Sequence, residues 1–182
     1  MKILIEGIKL TGKSSVIKLL NEQNREASIF EYRGHCLLNA PKYTISPKID
    51  EVLKAYAFFL STLTNVDFLL LRGHIYPFAL AECTDQVINS NFAEIDQLFY
   101  KINIINVFLV VNEDTFKRRL EKRVKDGRIV HEWDASWEKM KALQDCYQKY
   151  VSKSIIPSLT IDTSEFDEYT TLNKIIDFQK IN

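Results

Sequence analysis

Eight residues near the amino end carry the clearest chemistry. Gly7-Ile8-Lys9-Leu10-Thr11-Gly12-Lys13-Ser14 meets the phosphate-loop spacing GxxxxGK(S/T) at every defined position. Each residue type has a task. The glycines let the backbone turn so that successive N–H groups point at one anion. A lysine at position 13 would bring a mobile point charge to the β- and γ-phosphates of a nucleoside triphosphate. A serine hydroxyl at position 14 would ligate Mg²⁺. Lys9, Thr11 and Ser15 complete the set expected to touch the bound nucleotide, ATP.

Three further groups belong with this loop. Arg33 and Arg72 each lie in the tripeptide Arg-Gly-His at the end of an apolar run. Paired guanidiniums there suit an acceptor phosphate, whereas isolated strand-end arginines would be surface caps. His74 is a secondary candidate for a ligand hydrogen bond, as is His35. Glu31 would approach a substrate hydroxyl or a metal-bound water, or serve as a plain strand-end carboxylate. The run from Lys117 to Arg128 holds seven basic residues against two acidic ones and ends in Asp126-Gly127-Arg128. A solvated helix face has this composition, but so does a closing lid that brings arginines to a transferring phosphoryl group.

Such residues need a frame that presents them on one edge. Short β-rich runs alternate with longer amphipathic ones, the pattern of βαβ units and a parallel sheet. Strands are predicted over 2–6, 28–33, 68–72, 102–111 and 159–162. Helices are predicted over 13–21, from Ser46-Pro47 to about 63, and over 76–87, 92–101, 113–125, 135–153 and 167–179. In the second helix Val52, Tyr56, Phe59 and Leu63 form the expected buried stripe. Tyr56, Phe58 and Phe59 would stack on a base or, more simply, fill the core. Four of the five glycines, Gly7, Gly12, Gly34 and Gly73, follow predicted strands. In an open parallel sheet that edge binds ligands.

Composition sets the outer bounds. The 182 residues make about one domain, here spanning 1–182 with a lid over about 118–132. Lys+Arg and Asp+Glu are equal at 24 each, which disfavours a protein that coats nucleic acid, so no stable nucleic-acid partner is expected. Three scattered cysteines make neither a disulfide framework nor a zinc cluster. No apolar run approaches a membrane span. The expectation is a soluble, cytoplasmic protein, with a homodimer left open.

The order of these segments resembles the thymidylate kinase family of nucleoside monophosphate kinases and, more broadly, its deoxynucleoside kinase relatives. Ile3-Leu4-Ile5-Glu6-Gly7, followed by Gly12-Lys13-Ser14-Ser15, is similar to the opening strand and loop of that family. Leu71-Arg72 stands where the family closes its third strand with Asp-Arg, and the segment from Val111 to Arg118 resembles its strand and helix before the lid. Residues 123–132 resemble the lid, and Thr160-Ile161-Asp162-Thr163-Ser164 a late segment near the ATP base. The resemblance implies a P-loop NTPase fold of α/β class: a five-stranded parallel sheet, helices on both faces and a basic lid. It implies Arg72 at the acceptor, Arg118 near the adenine and Arg123 or Arg128 on the transferring phosphate. The expected activity is transfer of the ATP γ-phosphoryl group, with Mg²⁺, to a nucleotide, foremost a deoxynucleoside monophosphate. Rival acceptors are a nucleoside, a DNA hydroxyl or another small metabolite. A rival of another class is a nucleotide-binding protein with weak turnover. A GTPase switch is disfavoured, because no Asn-Lys-x-Asp base-reading motif closes a strand.

Overall fold

The computed structural model describes residues 1–23, 27–31, 45–46 and 48–182. Five strands, β1 (Lys2–Glu6), β2 (Ser28–Glu31), β3 (Phe68–Leu71), β4 (Ile105–Val110) and β5 (Ser158–Asp162), pair in parallel in the order β2-β3-β1-β4-β5. The helices among the described residues are α1 (Lys13–Gln23), α2 (Ile49–Thr62), α3 (Ile75–Cys83), α4 (Phe92–Tyr100), α5 (Glu113–Lys125), α6 (Glu132–Ala135), α7 (Trp137–Lys153) and α8 (Glu168–Ile181). The α/β class and the parallel sheet expected from the sequence are present.

Strand alternation divides the core into two layers. Ile3 and Ile5 of β1 face one side, with Val16, Ile17 and Leu20 of α1 and Leu172 and Ile175 of α8. Leu4 faces the other, with α2, α3, α4 and α7. Glu6 has the parity of Leu4, so a carboxylate enters that second layer. The chain leaves β1 by α1 on one face and β3 by α3 on the other. That divergence opens a crevice at the carboxyl ends of neighbouring parallel strands.

Several expected boundaries move for physical reasons. The apolar run 102–111 yields a strand only from Ile105; Asn103 has φ 58° and sits in a turn after α4. Periodicity alone does not separate a buried turn from a buried strand. The helix predicted over 76–87 stops at Cys83, and the one over 135–153 starts at Trp137, because Ser136 caps it by accepting from Lys139 N–H at 3.3 Å. On α2 the buried face is Ile49, Leu53, Ala57 and Leu60, one residue round from the predicted stripe. Phe59, 44% exposed, lies edge-on to Phe30 of the border strand β2, with centroids 5.7 Å apart.

A buried polar junction ties three helices together. His74, immediately before α3, contacts Asp96 Oδ1 of α4 through Nε2 at 2.7 Å. The same carboxylate accepts from Ser154 Oγ at 2.7 Å and from Ile155 N–H at 2.7 Å, just past α7. Burial pushes the His74 imidazole down, while Asp96 opposes that shift. His74 also stacks on Phe99 at 4.4 Å. Removing one member of such a junction leaves the others buried without a partner. We expect Asp96→Ala to lower the unfolding free energy by about 3 kcal/mol or more in urea titrations. A loss near zero would show the junction to be dispensable.

Candidate functional site

Residues 7–14 form the expected loop between β1 and α1. Gly7 has φ 136°, and a Cβ there would lie 2.4 Å from the Leu109 carbonyl oxygen of β4. No other residue fits that approach. Leu10 and Gly12 also have positive φ, 67° and 87°. Thr11 is buried, and its hydroxyl donates to the Ile8 carbonyl at 3.0 Å. It therefore braces the loop from inside rather than facing a ligand. The first N–H groups of α1 open to solvent at this point, a natural seat for phosphate. Ser14 and Ser15 line the cleft, with Ser14 exposed.

Lys13 is buried, and its ammonium group is folded into the loop. Nζ donates to the Gly7 carbonyl at 2.8 Å, to the Ile8 carbonyl and to Thr11 Oγ1 at 3.4 Å. Burial lowers its pKa to about 7, helped by the Arg72 charge and opposed by Glu6. Glu6 is likewise fully buried. Burial raises its pKa to about 7, against the Gly73 N–H that donates to Oε1 at 2.9 Å. Oε2 has no hydrogen-bond partner among the described residues, nor has the Tyr147 hydroxyl. The two groups act on one another electrostatically without meeting in hydrogen-bond geometry.

Arg72 follows β3 with φ 59°. Its N–H continues the sheet by donating to the Ile5 carbonyl at 3.1 Å, and the next N–H is held by Glu6. These two bonds fix an unfavourable backbone conformation and aim the side chain into the cleft. The guanidinium lies 5.3 Å from the Tyr76 ring centroid and 3.9 Å from Glu31 Oε1. Glu31 and Leu71 are register partners at the ends of β2 and β3, which explains the meeting.

The cleft has a volume of about 600 Å³ and takes in the phosphate loop, Glu31, Arg72, Arg119, Lys122, Arg123 and Arg128. Another hollow, about 470 Å³ between β5 and α8, contains neither the loop nor any of these arginines. Arg123 and Arg128 thus reach the expected place. Arg118 is exposed and does not line this cleft, whereas Arg119 takes the inward position. Arg119 Nη1 donates to the Leu10 carbonyl at 2.8 Å and to Thr163 Oγ1 at 2.9 Å. The reason is helical spacing. Thr115, Phe116, Arg119 and Arg123 share one face of α5, and Arg118 lies off it.

One expectation is corrected. His74 is fully buried in its junction with Asp96 and does not reach the cleft. Lys9 lines the cleft, with its ammonium paired with the buried Asp134 of α6. Arg33, Gly34 and His35 lie outside the described residues. Arg119, Asp134 and Tyr147 were not singled out from the sequence. Arg119 was legible from its spacing to Phe116. The other two depend on which helices pack together. As to metal, no cluster of three or more His, Cys, Asp or Glu side chains among the described residues would hold an ion alone. The donor set, one exposed serine hydroxyl beside a phosphate seat, fits Mg²⁺ bound chiefly through phosphate and water oxygens.

No protein-family model matches the sequence, and no curated sequence matches it significantly. Solved structures do match the fold. The YorR protein of Bacillus subtilis, in complex with phosphorylated GDP, superposes with a TM-score of 0.73 at 17% identity, over 100% of this chain and 96% of that one. Deoxyadenosine kinase from M. mycoides with bound dATP gives 0.59 at 16% identity, over 99% of this chain and 100% of that one. Thymidylate kinase from Candida albicans gives 0.55 at 16% identity, over 98% and 91%. The chain has the P-loop α/β fold that these nucleotide and nucleoside kinases share. Among the described residues, no helix is long and apolar enough to cross a membrane.

Anions arriving at the loop raise the pKa of Lys13, because they favour its charged form. The lowered value without nucleotide means that fewer protons are bound above pH 7 than an ordinary lysine would hold. Nucleotide binding at pH 8 is therefore expected to take up protons. Calorimetry in two buffers of different ionisation enthalpy measures the uptake, and Lys13→Met should abolish it. Uptake that is absent in the wild type, or unchanged in Lys13→Met, would contradict the assignment.

Proposed function

We propose that this protein is a kinase that transfers the γ-phosphoryl group of ATP to a nucleotide. One observation carries the reading: a phosphate loop, its buried lysine and arginines from two separate segments converge on a single cleft at the carboxyl edge of the sheet. Catalysis of phosphoryl transfer rests largely on positioning and charge neutralisation, and such a cleft supplies both.

In this reading Gly7, Thr11 and Gly12 shape the loop, and its N–H groups with Lys13, Ser14 and Ser15 hold the triphosphate. Ser14 would hold Mg²⁺, which neutralises phosphate charge as it transfers. Arg123 and Arg128 belong to a lid over about 118–132, within one catalytic domain. They would stabilise the charge of the transferring group. Arg72, with Glu31 and Arg33, would form the acceptor side. The fold is shared with a thymidylate kinase, which supports a deoxynucleoside monophosphate as acceptor.

A nucleoside is the second reading, and a specific observation favours it. Lys9 is paired with Asp134 and Arg72 stands near Glu31, so two cations that would greet an acceptor phosphate already have carboxylates beside them. Glu31 would then accept the proton of a sugar hydroxyl.

The deciding measurement is ATP consumption against matched nucleosides and their 5′-monophosphates, with Lys13→Ala as control. We expect a preference for a monophosphate of about tenfold or more in kcat/KM, reduced in Arg72→Ala by a similar factor. A nucleoside preference would establish the second reading. Turnover that survives Lys13→Ala in a folded protein would end the kinase reading.

A further inference from the structure

The basic segment is tied to the phosphate loop at both of its roots. On the first side, Arg119 of α5 donates to the carbonyl of Leu10 at 2.8 Å. On the second, Asp134 of α6 pairs with the ammonium of Lys9. Lys9 and Leu10 are consecutive, so both roots of the stretch that includes Arg123 and Arg128 meet one dipeptide. The loop backbone there is constrained, with Leu10 at φ 67°.

The second tether is an unusual use of charge. The Asp134 side chain is 1% exposed, while that of Lys9 is 33% exposed and lines the cleft. Burying a carboxylate is expensive, and an ion pair returns at best part of that cost. A short helix such as α6 needs no buried charge to dock, because its own Trp133 already packs against the core. The pair does fix where α6 sits relative to the loop. It also leaves the Lys9 end in contact with the space that phosphates would enter.

We propose that Asp134 is a positioning residue that, through Lys9, couples the state of the phosphate loop to the lid. A polyphosphate seated on the loop fixes Lys9 and Leu10. Their two tethers then fix the roots of α5 and α6, and the lid arginines settle over the cleft. A ligand shifts a lid only to the extent that it favours one lid position over another. The tethers give a phosphate on the loop that leverage although it need not touch the lid tip. The proposal rests on the nucleotide-binding reading of the loop and adds a residue outside the loop and the lid arginines.

The lid tip provides its own probe, since trypsin cleaves after Lys122, Arg123, Lys125 and Arg128. Digestion is followed with and without a saturating Mg²⁺-bound, non-hydrolysable ATP analogue, and calorimetry on the same samples reports binding. In the wild type the analogue should slow cleavage of the tip about tenfold, the behaviour of a lid that closes on its ligand. In Asp134→Asn the analogue should still bind, yet protect the tip less than about twofold. Lys9→Met, at the more exposed partner, is read at an analogue concentration that calorimetry shows to saturate that variant; its protection should be lost alike, and it serves if Asp134→Asn does not fold. The double variant should lose no further protection, because both changes break one contact. A purely structural role would change digestion equally with and without the analogue. Full protection in both variants, with the analogue bound, would overturn the coupling. A wild type that does not bind the analogue would overturn the nucleotide reading itself and the coupling with it.

Discussion

Three ionisable groups, Glu6, Lys13 and Arg72, crowd the carboxyl end of the central strand, and much of the site follows from that crowding. Glu6 is there because strand parity places residue 6 on the side of α3 and α7. Lys13 is there because the loop doubles back over the strand. Arg72 is there because β3 pairs with β1 and ends at Leu71, the register partner of Ile5, one residue before it. Water is largely excluded, so each charge must be met by another group or weakened. Both outcomes occur. Glu6 takes the Gly73 N–H and is pushed up to about 7; Lys13 takes two loop carbonyls and is pushed down to about 7.

This arrangement constrains the backbone around it. Gly73 is pressed against Leu4, where a Cβ would lie 2.7 Å from Cδ1, and its N–H is committed to Glu6. Arg72 is thereby held in a left-handed conformation. A side chain so fixed needs little ordering when an anion arrives, which is the advantage of preorganised charge. The basic segment differs. Arg123 and Arg128 stand at the end of α5 and in the turn beyond it, with Gly127 at φ 68° between them. On either side of them Arg119 contacts Leu10 and Asp134 contacts Lys9.

Much of this was legible in the sequence because local rules decide it. The loop spacing picked out residues 7–14 as the turn between β1 and α1, and the alternation of apolar runs pointed to the parallel sheet. Glycine positions marked the ligand edge. Misreadings arose where two local patterns were equally good. On α2, residues 49, 53, 57 and 60 and residues 52, 56, 59 and 63 both have helical spacing. Packing chose the set with Ala57, while the larger Phe59 covers the border strand. Arg118 and Arg119 differ only by 100° of helical rotation, and Phe116 decides which one faces inward. The pairings of His74 and Lys9 were not legible, because their partners, Asp96 and Asp134, lie 22 and 125 residues away in sequence. No spacing rule reveals such pairs. The proposed acceptor side is the least legible part, because the residues assigned to it come from separate strands and one of them, Arg33, lies outside the described residues.

The central claim is that the charge cluster at the end of β1 is a triphosphate seat with its lysine held in reserve. A crystal structure with Mg²⁺ and a non-hydrolysable ATP analogue tests it most directly. The account predicts the phosphates on the N–H groups of residues 7–14. It also predicts Lys13 Nζ withdrawn from the Gly7 and Ile8 carbonyls to meet the β- and γ-phosphates, and Ser14 Oγ on the metal. A triphosphate bound elsewhere, or one seated on the loop while Lys13 stays on those two carbonyls, would contradict it.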